Sequence, residues 1–272
     1  YTSAMASSRN WNLTANTTLY AKWTADAYTG TLDPQSGTGG STSVSATYGS
    51  AMPSATGPTR SGYTFGGYYT GTGGTGTQYY TSGMASSQNW DLAANTTLYA
   101  KWTADAYTVS FNANGGTDPV PATKQVTYND NYGELATTNR DGYAFDGWFT
   151  AQTGGTQVTS TTNVTSAENH TLYAHWTASE YTVTLDPQGG SGGSADVTAT
   201  YDSTMPSATS PTRAGYAFGG YYTGTGGADT QYYTAGMVSA RNWDLTANTT
   251  LYAKWSGLYY RSKTTGDWSV PG

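Results

Sequence analysis

A fourfold recurrence of one short motif constrains this chain more than any other feature of its sequence. The pentapeptide Leu-Tyr-Ala-Lys-Trp, once with His for Lys, ends at four tryptophans spaced 79, 74 and 79 residues apart: Trp23, Trp102, Trp176 and Trp255. A fixed period of this size is typical of an array of similar small modules and not of one large enzyme domain. Each unit is near the lower size limit for a domain that buries its own core.

The recurrence divides the chain into three complete units with a segment on either side. We name the units module 1 (28–102), module 2 (107–176) and module 3 (181–255). Residues 1–23 match 80–102, so they form the C-terminal part of an incomplete repeat, and 256–272 is a non-repeat tail. The modules are joined by four-residue connections, which reach about 14 Å at most. We therefore expect neighbouring modules to lie almost in contact.

Composition argues against several classes of function. Charged residues make up only 10% of the chain, and 25 Tyr, 9 Trp and 5 Phe are too many for a disordered linker. The net charge of −6 argues against nucleic-acid binding, which requires clustered Lys and Arg. The sequence has no cysteine and no apolar run long enough to span a membrane. Because it begins with Tyr1 and not with Met, we expect it to be a portion of a longer protein.

Alternation of apolar and polar residues predicts β-strands within each module. In module 3 the segments 181–185, 197–201 and 251–255 alternate with period two, as half-buried strands do. Glycine pairs separate these segments as turns. The stretch from Pro206 to Pro211 is expected to hold one short helix or an irregular crossover. The sequence therefore predicts mainly β modules, each a β-sheet with at most one short helix.

A second signature lies in the middle of each module. It reads Pro-Thr-Arg-Ser-Gly-Tyr-Thr-Phe-Gly-Gly-Tyr-Tyr at 58–69, and close variants occur at 139–149 and 211–222. The opening Tyr-Thr-Val-Ser-Phe-Asn-Ala-Asn-Gly-Gly at 107–116 and the closing pentapeptide complete the pattern. Together these motifs resemble the Listeria–Bacteroides repeat, the family that includes the B repeat of internalin B. The resemblance covers essentially all of 28–255.

The resemblance implies small β-grasp-like modules in a secreted or surface-anchored prokaryotic protein. In this family the repeats act as stalks or interaction modules, with no catalytic residues and no cofactor. Tyr68 and Tyr221 replace the usual Trp that Trp148 preserves, and Gln35-Ser36-Gly37 stands where Asn-Gly-Gly is common. Neither departure changes the expected fold. From size alone, the aromatic residues of the central signature are predicted to fill the core.

The residues offer little reactive chemistry. Both histidines, His170 and His175, lie in module 2, and no cysteine accompanies them. His175 stands where the other repeats have a lysine, which favours the solvent face of a strand. Asn129-Asp130-Asn131 lacks the bidentate Glu of a calcium loop, and such residues are typical of turns. We therefore predict neither enzyme activity nor a metal or cofactor site.

Two tyrosine pairs are the candidates for ligand contact: Tyr79 and Tyr80, and Tyr232 and Tyr233. They follow loops rich in glycine and threonine. Adjacent residues on a strand point in opposite directions, so one ring of each pair is predicted to be buried and the other exposed. Exposed tyrosine faces on a weakly charged surface suit sugar stacking, and repetition would add avidity. The competing interpretation is that these are ordinary strand residues.

The incomplete first repeat lacks the first half against which its apolar residues would pack: Trp11, Leu13, Leu19 and Trp23. Omitted upstream sequence, disorder and coverage by another chain are the three explanations. The tail carries apolar residues that could supply one or two strands for inter-chain contact: Leu258, Tyr259, Tyr260 and Trp268. Head-to-tail completion by strand addition is therefore one hypothesis, and a contact that does not close would build a fibre.

These observations favour a non-enzymatic extracellular array, the stalk or adhesive region of a prokaryotic cell-surface protein. The alternative is a subunit of a self-assembling extracellular filament joined head to tail. A carbohydrate-binding repeat array is the third hypothesis. The expected partners are the chain itself or a cell-surface or glycan ligand, and nucleic acid is not expected to bind.

Overall fold

A computed structural model describes residues 2–258, 260–261 and 268–269. The chain divides into two compact units, 1–105 and 106–272, and the second unit holds modules 2 and 3. Three five-stranded sheets, one in each module, and one two-stranded hairpin account for the described strands.

Module 1 is a mixed sheet in the order β2-β1-β5-β3-β4. Its strands are β1 Ala27–Asp33, β2 Ser43–Thr47, β3 Tyr63–Tyr69, β4 Gln78–Tyr80 and β5 Thr96–Ala104. The first and last strands, β1 and β5, pair in parallel at the centre, and the other neighbours are antiparallel. A three-residue 3-10 turn, Thr72–Gly74, follows β3.

Modules 2 and 3 repeat the same topology. The strands of module 2 are β6 Ala106–Asn112, β7 Thr123–Thr127, β8 Tyr143–Phe149, β9 Gln157–Val158 and β10 His170–Ala178. Those of module 3 are β11 Glu180–Asp186, β12 Asp196–Thr200, β13 Tyr216–Tyr222, β14 Gln231–Tyr233 and β15 Thr249–Gly257. A second 3-10 turn spans Thr225–Gly227, and β16 Tyr260–Arg261 pairs with β17 Trp268–Ser269 in the tail.

The prediction of mainly β modules is confirmed. Among the described residues, the two 3-10 turns are the only helical segments, and the stretch from Pro206 to Pro211, between β12 and β13, is an irregular crossover. The β-grasp-like part of the assignment stays a prediction. The strands also take up most of the expected connections, because only Asp105 separates β5 from β6 and only Ser179 separates β10 from β11.

In each of the three modules, the closing tryptophan connects the last strand to the first hairpin through two contacts. In module 3 the Trp255 Nε1–H donates to the Pro187 carbonyl at 2.9 Å. The indole lies so close to Gly190 that a Cβ there would be 2.6 Å from the ring. The same pair of contacts occurs in modules 1 and 2, at Gly37 and Gly116. Glycine is therefore required at this point of the opening motif, and module 1 retains it despite its departure from Asn-Gly-Gly.

A recurrent asparagine ties the turn before the last strand to the first strand. The side-chain oxygen of Asn248 accepts a hydrogen bond from the Thr182 N–H at 2.9 Å. Asn95 and Asn169 make the equivalent bond in modules 1 and 2. This asparagine therefore has a structural role in every module.

Candidate functional site

The predicted ligand contacts Tyr79, Tyr80, Tyr232 and Tyr233 are all buried, each at most 1% exposed. The expectation that one ring of each pair faces solvent is therefore wrong. The reason is a β-bulge, since Tyr221 pairs with Tyr233 and Tyr222 pairs with Gln231. Tyr232 is the extra residue of the bulge and leaves the strict alternation of a strand. Its ring turns inward onto Trp243, with the centroids 4.9 Å apart.

The hydroxyl groups of these buried tyrosines are hydrogen-bonded. The Tyr233 hydroxyl donates to the Pro206 carbonyl at 2.6 Å, and the Tyr232 hydroxyl donates to the Asp244 carboxylate. Burial raises the pKa of Tyr233 to about 12 and raises the pKa of Tyr232 as well. The tyrosine pairs are therefore core residues that stay protonated, and they present no surface for a ligand.

The predicted inter-chain contacts in the incomplete repeat are exposed: Trp11 at 62%, Leu13 at 49%, Leu19 at 59% and Trp23 at 89%. No strand occurs in 2–26. Residues 17–25 match β5, which is the central strand of its sheet and needs a neighbour on both sides. Two strands from elsewhere would be needed to complete this segment.

The tail residues predicted to make inter-chain contact are Leu258, Tyr259, Tyr260 and Trp268. Leu258 is 36% exposed, and its N–H donates to the Gly215 carbonyl at 2.8 Å. Tyr259 lies outside the described residues. Tyr260 and Trp268 belong to the backbone pairing of β16 and β17, which are two residues long. The hypothesis that the tail contributes to inter-chain contact stays a prediction.

A polar and aromatic row crosses the sheet on the side away from the core. In module 3, Asp186 of β11 is in register with Tyr252 of β15, which is in register with Tyr222 of β13. Registered neighbours share a face, and all three side chains are half-buried. Thr184 and Thr250, two residues earlier on their strands, form the next row of the same face. We call this surface the outer face.

The outer face of module 3 forms one wall of a groove of about 580 Å³. Its lining includes Thr184, Asp186, Thr250 and Tyr252 from the sheet and the loop Gly192-Gly193-Ser194. One oxygen of Asp186, Oδ1, accepts a hydrogen bond from the Gln188 N–H at 2.8 Å. No lining residue carries a positive charge. The groove therefore offers a carboxylate, hydroxyl groups and a tyrosine side chain.

The groove was not among the sites predicted from the sequence, although the sequence contains a signal for it. The closing pentapeptide alternates, so Tyr252 and Lys254 lie on the face opposite Leu251, Ala253 and Trp255. The registration of Asp186 and Tyr222 beside Tyr252 comes from strands distant in sequence.

The junction between modules 2 and 3 is one residue that is hydrogen-bonded to both. The Ser179 N–H donates to the Gly142 carbonyl of module 2 at 2.9 Å. The Ser179 carbonyl accepts from the Tyr201 N–H of module 3, also at 2.9 Å. Strand β10 therefore passes into β11 without a flexible spacer.

Aromatic side chains close the same junction. The rings of Tyr143 and Tyr201 meet edge to face with centroids 5.6 Å apart, and the Tyr143 hydroxyl donates to Asp202 at 3.4 Å. The Arg140 guanidinium stacks on Tyr143 at 3.7 Å from the ring centroid. Gly142, with a φ of 78°, lies so close to the Tyr201 ring that a side chain there would overlap it. These contacts restrict rotation of one module against the other.

Both histidines have structural contacts. His170 Nε2 is 2.6 Å from the Tyr132 hydroxyl, and the His175 ring stacks on Phe149 with centroids 3.9 Å apart. Within the described part of the chain no three His, Asp or Glu side chains are grouped to hold a metal ion. No helix in that part is long and apolar enough to cross a membrane.

Comparison with known protein families gives the same result for all three sheets. The Listeria–Bacteroides repeat domain matches residues 28–101, 107–175 and 181–254. The matches cover well over half of the chain, and each begins and ends within one sheet.

Three curated proteins share sequence with the array. A putative membrane protein of Evansella cellulosilytica is 31% identical over 244 residues, which is 88% of this chain and 33% of that protein. A putative Gly-rich membrane protein of the same organism is 28% identical over 248 residues, covering 88% of this chain and 25% of its own length. Internalin H of Listeria monocytogenes is 34% identical over 153 residues, 56% of this chain and 25% of internalin H. The chain thus spans a quarter to a third of the length of these relatives.

Proposed function

The chain belongs to the Listeria–Bacteroides repeat family, and from this membership we propose that it is a non-enzymatic extracellular tandem-repeat array. It serves as the stalk or adhesive region of a prokaryotic cell-surface protein. The observation that carries the proposal is the junction at Ser179, where a single residue is hydrogen-bonded to the modules on both sides. A stalk with such junctions acts as a spacer, because it holds its distal end at a set distance.

A spacer of set length requires junctions that contain no flexible linker. A flexible glycine-serine linker would let the modules reorient freely, whereas a single residue that is hydrogen-bonded on both sides leaves little backbone freedom.

Both hydrogen bonds of the Ser179 junction have counterparts elsewhere in this chain. In module 3, Arg213 stacks on Tyr216 at 4.2 Å and Leu258 bonds to Gly215. In module 1 the Tyr48 N–H donates to the Asp26 carbonyl at 2.9 Å. Every repeat therefore carries the means to be joined in series.

The relatives also support a surface location. Two are named as membrane proteins and the third as an internalin, and each is several times longer than the array. A repeat region inside such a long polypeptide suits the role of a spacer between other parts.

The proposal is tested by the spread of distances between modules 2 and 3. The chain has no cysteine, so T153C and A235C place one spin label on an exposed position of each module. We expect a narrow distance distribution in the parent pair and a broad one after Y201A, which removes the ring that meets Tyr143. Y48A is the matched control, because Tyr48 has the same turn position in module 1 and is 47% exposed. A broad distribution in the parent pair would contradict the spacer function.

A filament subunit is the second candidate, and the exposed apolar segment favours it. Trp11 and Trp23 are exposed, while their counterparts Trp90 and Trp102 pack in module 1. Light scattering of the chain with and without 256–272 tests the tail, since strand addition by the tail predicts polymers that disappear on its deletion. Strictly monomeric scattering of both forms would eliminate this route.

A further inference from the structure

The groove on the outer face of module 3 has the chemistry of a carbohydrate site. We propose that it binds a neutral saccharide, with one sugar ring stacked on Tyr252 and its hydroxyl groups bonded to Asp186, Thr184 and Thr250. This ligand function goes beyond the spacer function and does not depend on it. The proposed ligand surface is therefore the outer face and not the buried tyrosine pairs.

The ring of Tyr252 is placed to stack. It is half-buried between the side chains of its registered neighbours, Asp186 and Tyr222. A half-buried ring in a row of strands is held in position and loses little entropy when a ligand covers it. One face of a pyranose consists of C–H groups, which pack on an aromatic ring, while its hydroxyl groups project at the edges.

Hydrogen-bonding groups share the groove with that ring, because Asp186 is in register with Tyr252 and the pair Thr184 and Thr250 forms the next row. The Asp186 carboxylate uses Oδ1 for the Gln188 N–H, and Oδ2 has no hydrogen-bond partner among the described residues. The hydroxyl groups of Thr184 and Thr250 both donate and accept. Together the carboxylate and the hydroxyl groups can therefore pair with a sugar's donors and acceptors. An apolar ligand would leave these protein groups unpaired.

Charge selects the class of saccharide. The groove holds one carboxylate and no cation among its lining residues, since Lys254 of the same face lies over Tyr222, with its Nζ 5.5 Å from the ring centroid. An anionic sugar seated on Tyr252 would therefore meet the Asp186 carboxylate with no cation in the lining to offset it. The net charge of the whole chain, −6, acts in the same direction. The expected ligand is therefore neutral.

Module 1 repeats the site and module 2 does not. The row in module 1 is Asp33, Tyr99 and Tyr69, and its loop is again Gly-Gly-Ser at 39–41. In module 2, Asn112 replaces the aspartate, and Asp118-Pro119-Val120-Pro121 replaces the small loop. Tyr173 nevertheless keeps the central ring position there. Module 2 thus provides a control within the same chain.

The test is a titration of the full chain with two neutral tetrasaccharides, one of glucose and one of N-acetylglucosamine, followed by NMR. We expect millimolar binding of at least one, with shifts at Tyr99 and Tyr252. The double variant Y99A/Y252A should weaken binding about 2- to 13-fold, the factor that follows from losing a stacking contact of about 0.5–1.5 kcal/mol. Y173A in module 2 should leave binding unchanged.

A conservative variant keeps the proposal testable if the alanine variants unfold. D33N/D186N retains the acceptor for the turn N–H, as Asn112 does in module 2, where it accepts from the Asn114 N–H at 2.8 Å. This variant should weaken binding and leave the unfolding midpoint unchanged. The proposal is overturned if neither tetrasaccharide shifts these residues at millimolar concentration. It is equally overturned if Y173A weakens binding as much as Y99A/Y252A, or if an acidic tetrasaccharide of galacturonate binds more tightly.

Discussion

Modules 2 and 3 build the same sheet around cores that are filled differently. Module 3 places four large side chains in its core, each at most 1% exposed: Tyr221, Tyr232, Tyr233 and Trp243. Module 2 fills three matching positions with Trp148, Val158 and Val164, and its edge strand β9 has no bulge and no counterpart of Tyr232. Side-chain volume is therefore missing from the edge strand of module 2 and from the segment after it.

The crossover of module 2 supplies part of that volume. Tyr132 is buried where module 3 has Met205, and its hydroxyl reaches His170. The Trp148 Nε1–H donates to the Ala136 carbonyl at 2.8 Å, whereas the Tyr221 hydroxyl has no hydrogen-bond partner within the described residues. The sheet and its recurrent tryptophan and asparagine contacts are therefore compatible with either core, provided that the interior stays filled. The two cores differ in how well their polar atoms are paired.

The largest expected effect comes from emptying the aromatic core. W243A should lower the free energy of unfolding of module 3 by about 3–5 kcal/mol, because it leaves a large cavity. V164A at the matching position of module 2 removes two methyl groups and should cost about 2 kcal/mol. Hydrogen exchange with mass spectrometry in urea reports each module separately. Equal losses in the two modules would show that the cores are not as different as their side chains indicate.

The next largest effect is expected at alkaline pH, where module 3 should lose stability before module 2. Burial raises the pKa of Tyr221 and of Tyr233 to about 12, against about 10 in an unfolded chain. Between these values the unfolded state has lost its protons and the folded state keeps them. The stabilising contribution is therefore complete below about pH 10 and is lost as the pH rises through about 12.

Module 2 should resist alkali longer, because burial raises the pKa of Tyr132 there, whereas in module 3 it raises the pKa of Tyr221, of Tyr232 and of Tyr233. Methyl resonances of the valines and leucines in each module, recorded from about pH 9 to 12, follow the two cores independently. Loss of both sets of resonances at the same pH would contradict the expected order.

Two neighbouring tyrosines in module 3 should respond to the same substitution with opposite signs. Y233F removes a hydroxyl that donates to the Pro206 carbonyl and should lower stability by about 1 kcal/mol. Y221F removes a buried hydroxyl without a partner among the described residues and should raise stability by about 1 kcal/mol. Urea midpoints of module 3 measure both effects. Shifts of the same sign would mean that the Tyr221 hydroxyl is satisfied in solution.

The smallest difference between the modules is expected at the recurrent asparagine. N248A in module 3 and N169A in module 2 each remove one side-chain acceptor for a strand N–H. Each should cost about 1 kcal/mol, and the two losses should agree, because the contact is the same. Hydrogen exchange of the Thr182 and Thr108 amides measures them. If the two losses differ markedly, part of the stability difference between the modules arises in the sheet and not in the core.

Local patterns predicted the strands well but missed the candidate site. Segments 181–185 and 251–255 alternate strictly, and they form β11 and β15. Tyr232 and Tyr233 also look like alternating strand residues, but the bulge in β14 turns both rings into the core. A bulge depends on how the partner strand is registered, which no run of three residues reveals.

The repeat period, the β content, the family and the face on which each residue of a regular strand lies all follow from local sequence patterns. These properties depend on the spacing of residues that are near one another in the chain. The packing of the whole module placed β1 beside β5 and Asp186 next to Tyr252, and it selected the rings that fill each core. Residues paired between the first and last strands of a module are separated by some sixty positions or more. Their meeting depends on strand order and register, which the burial of the whole module selects.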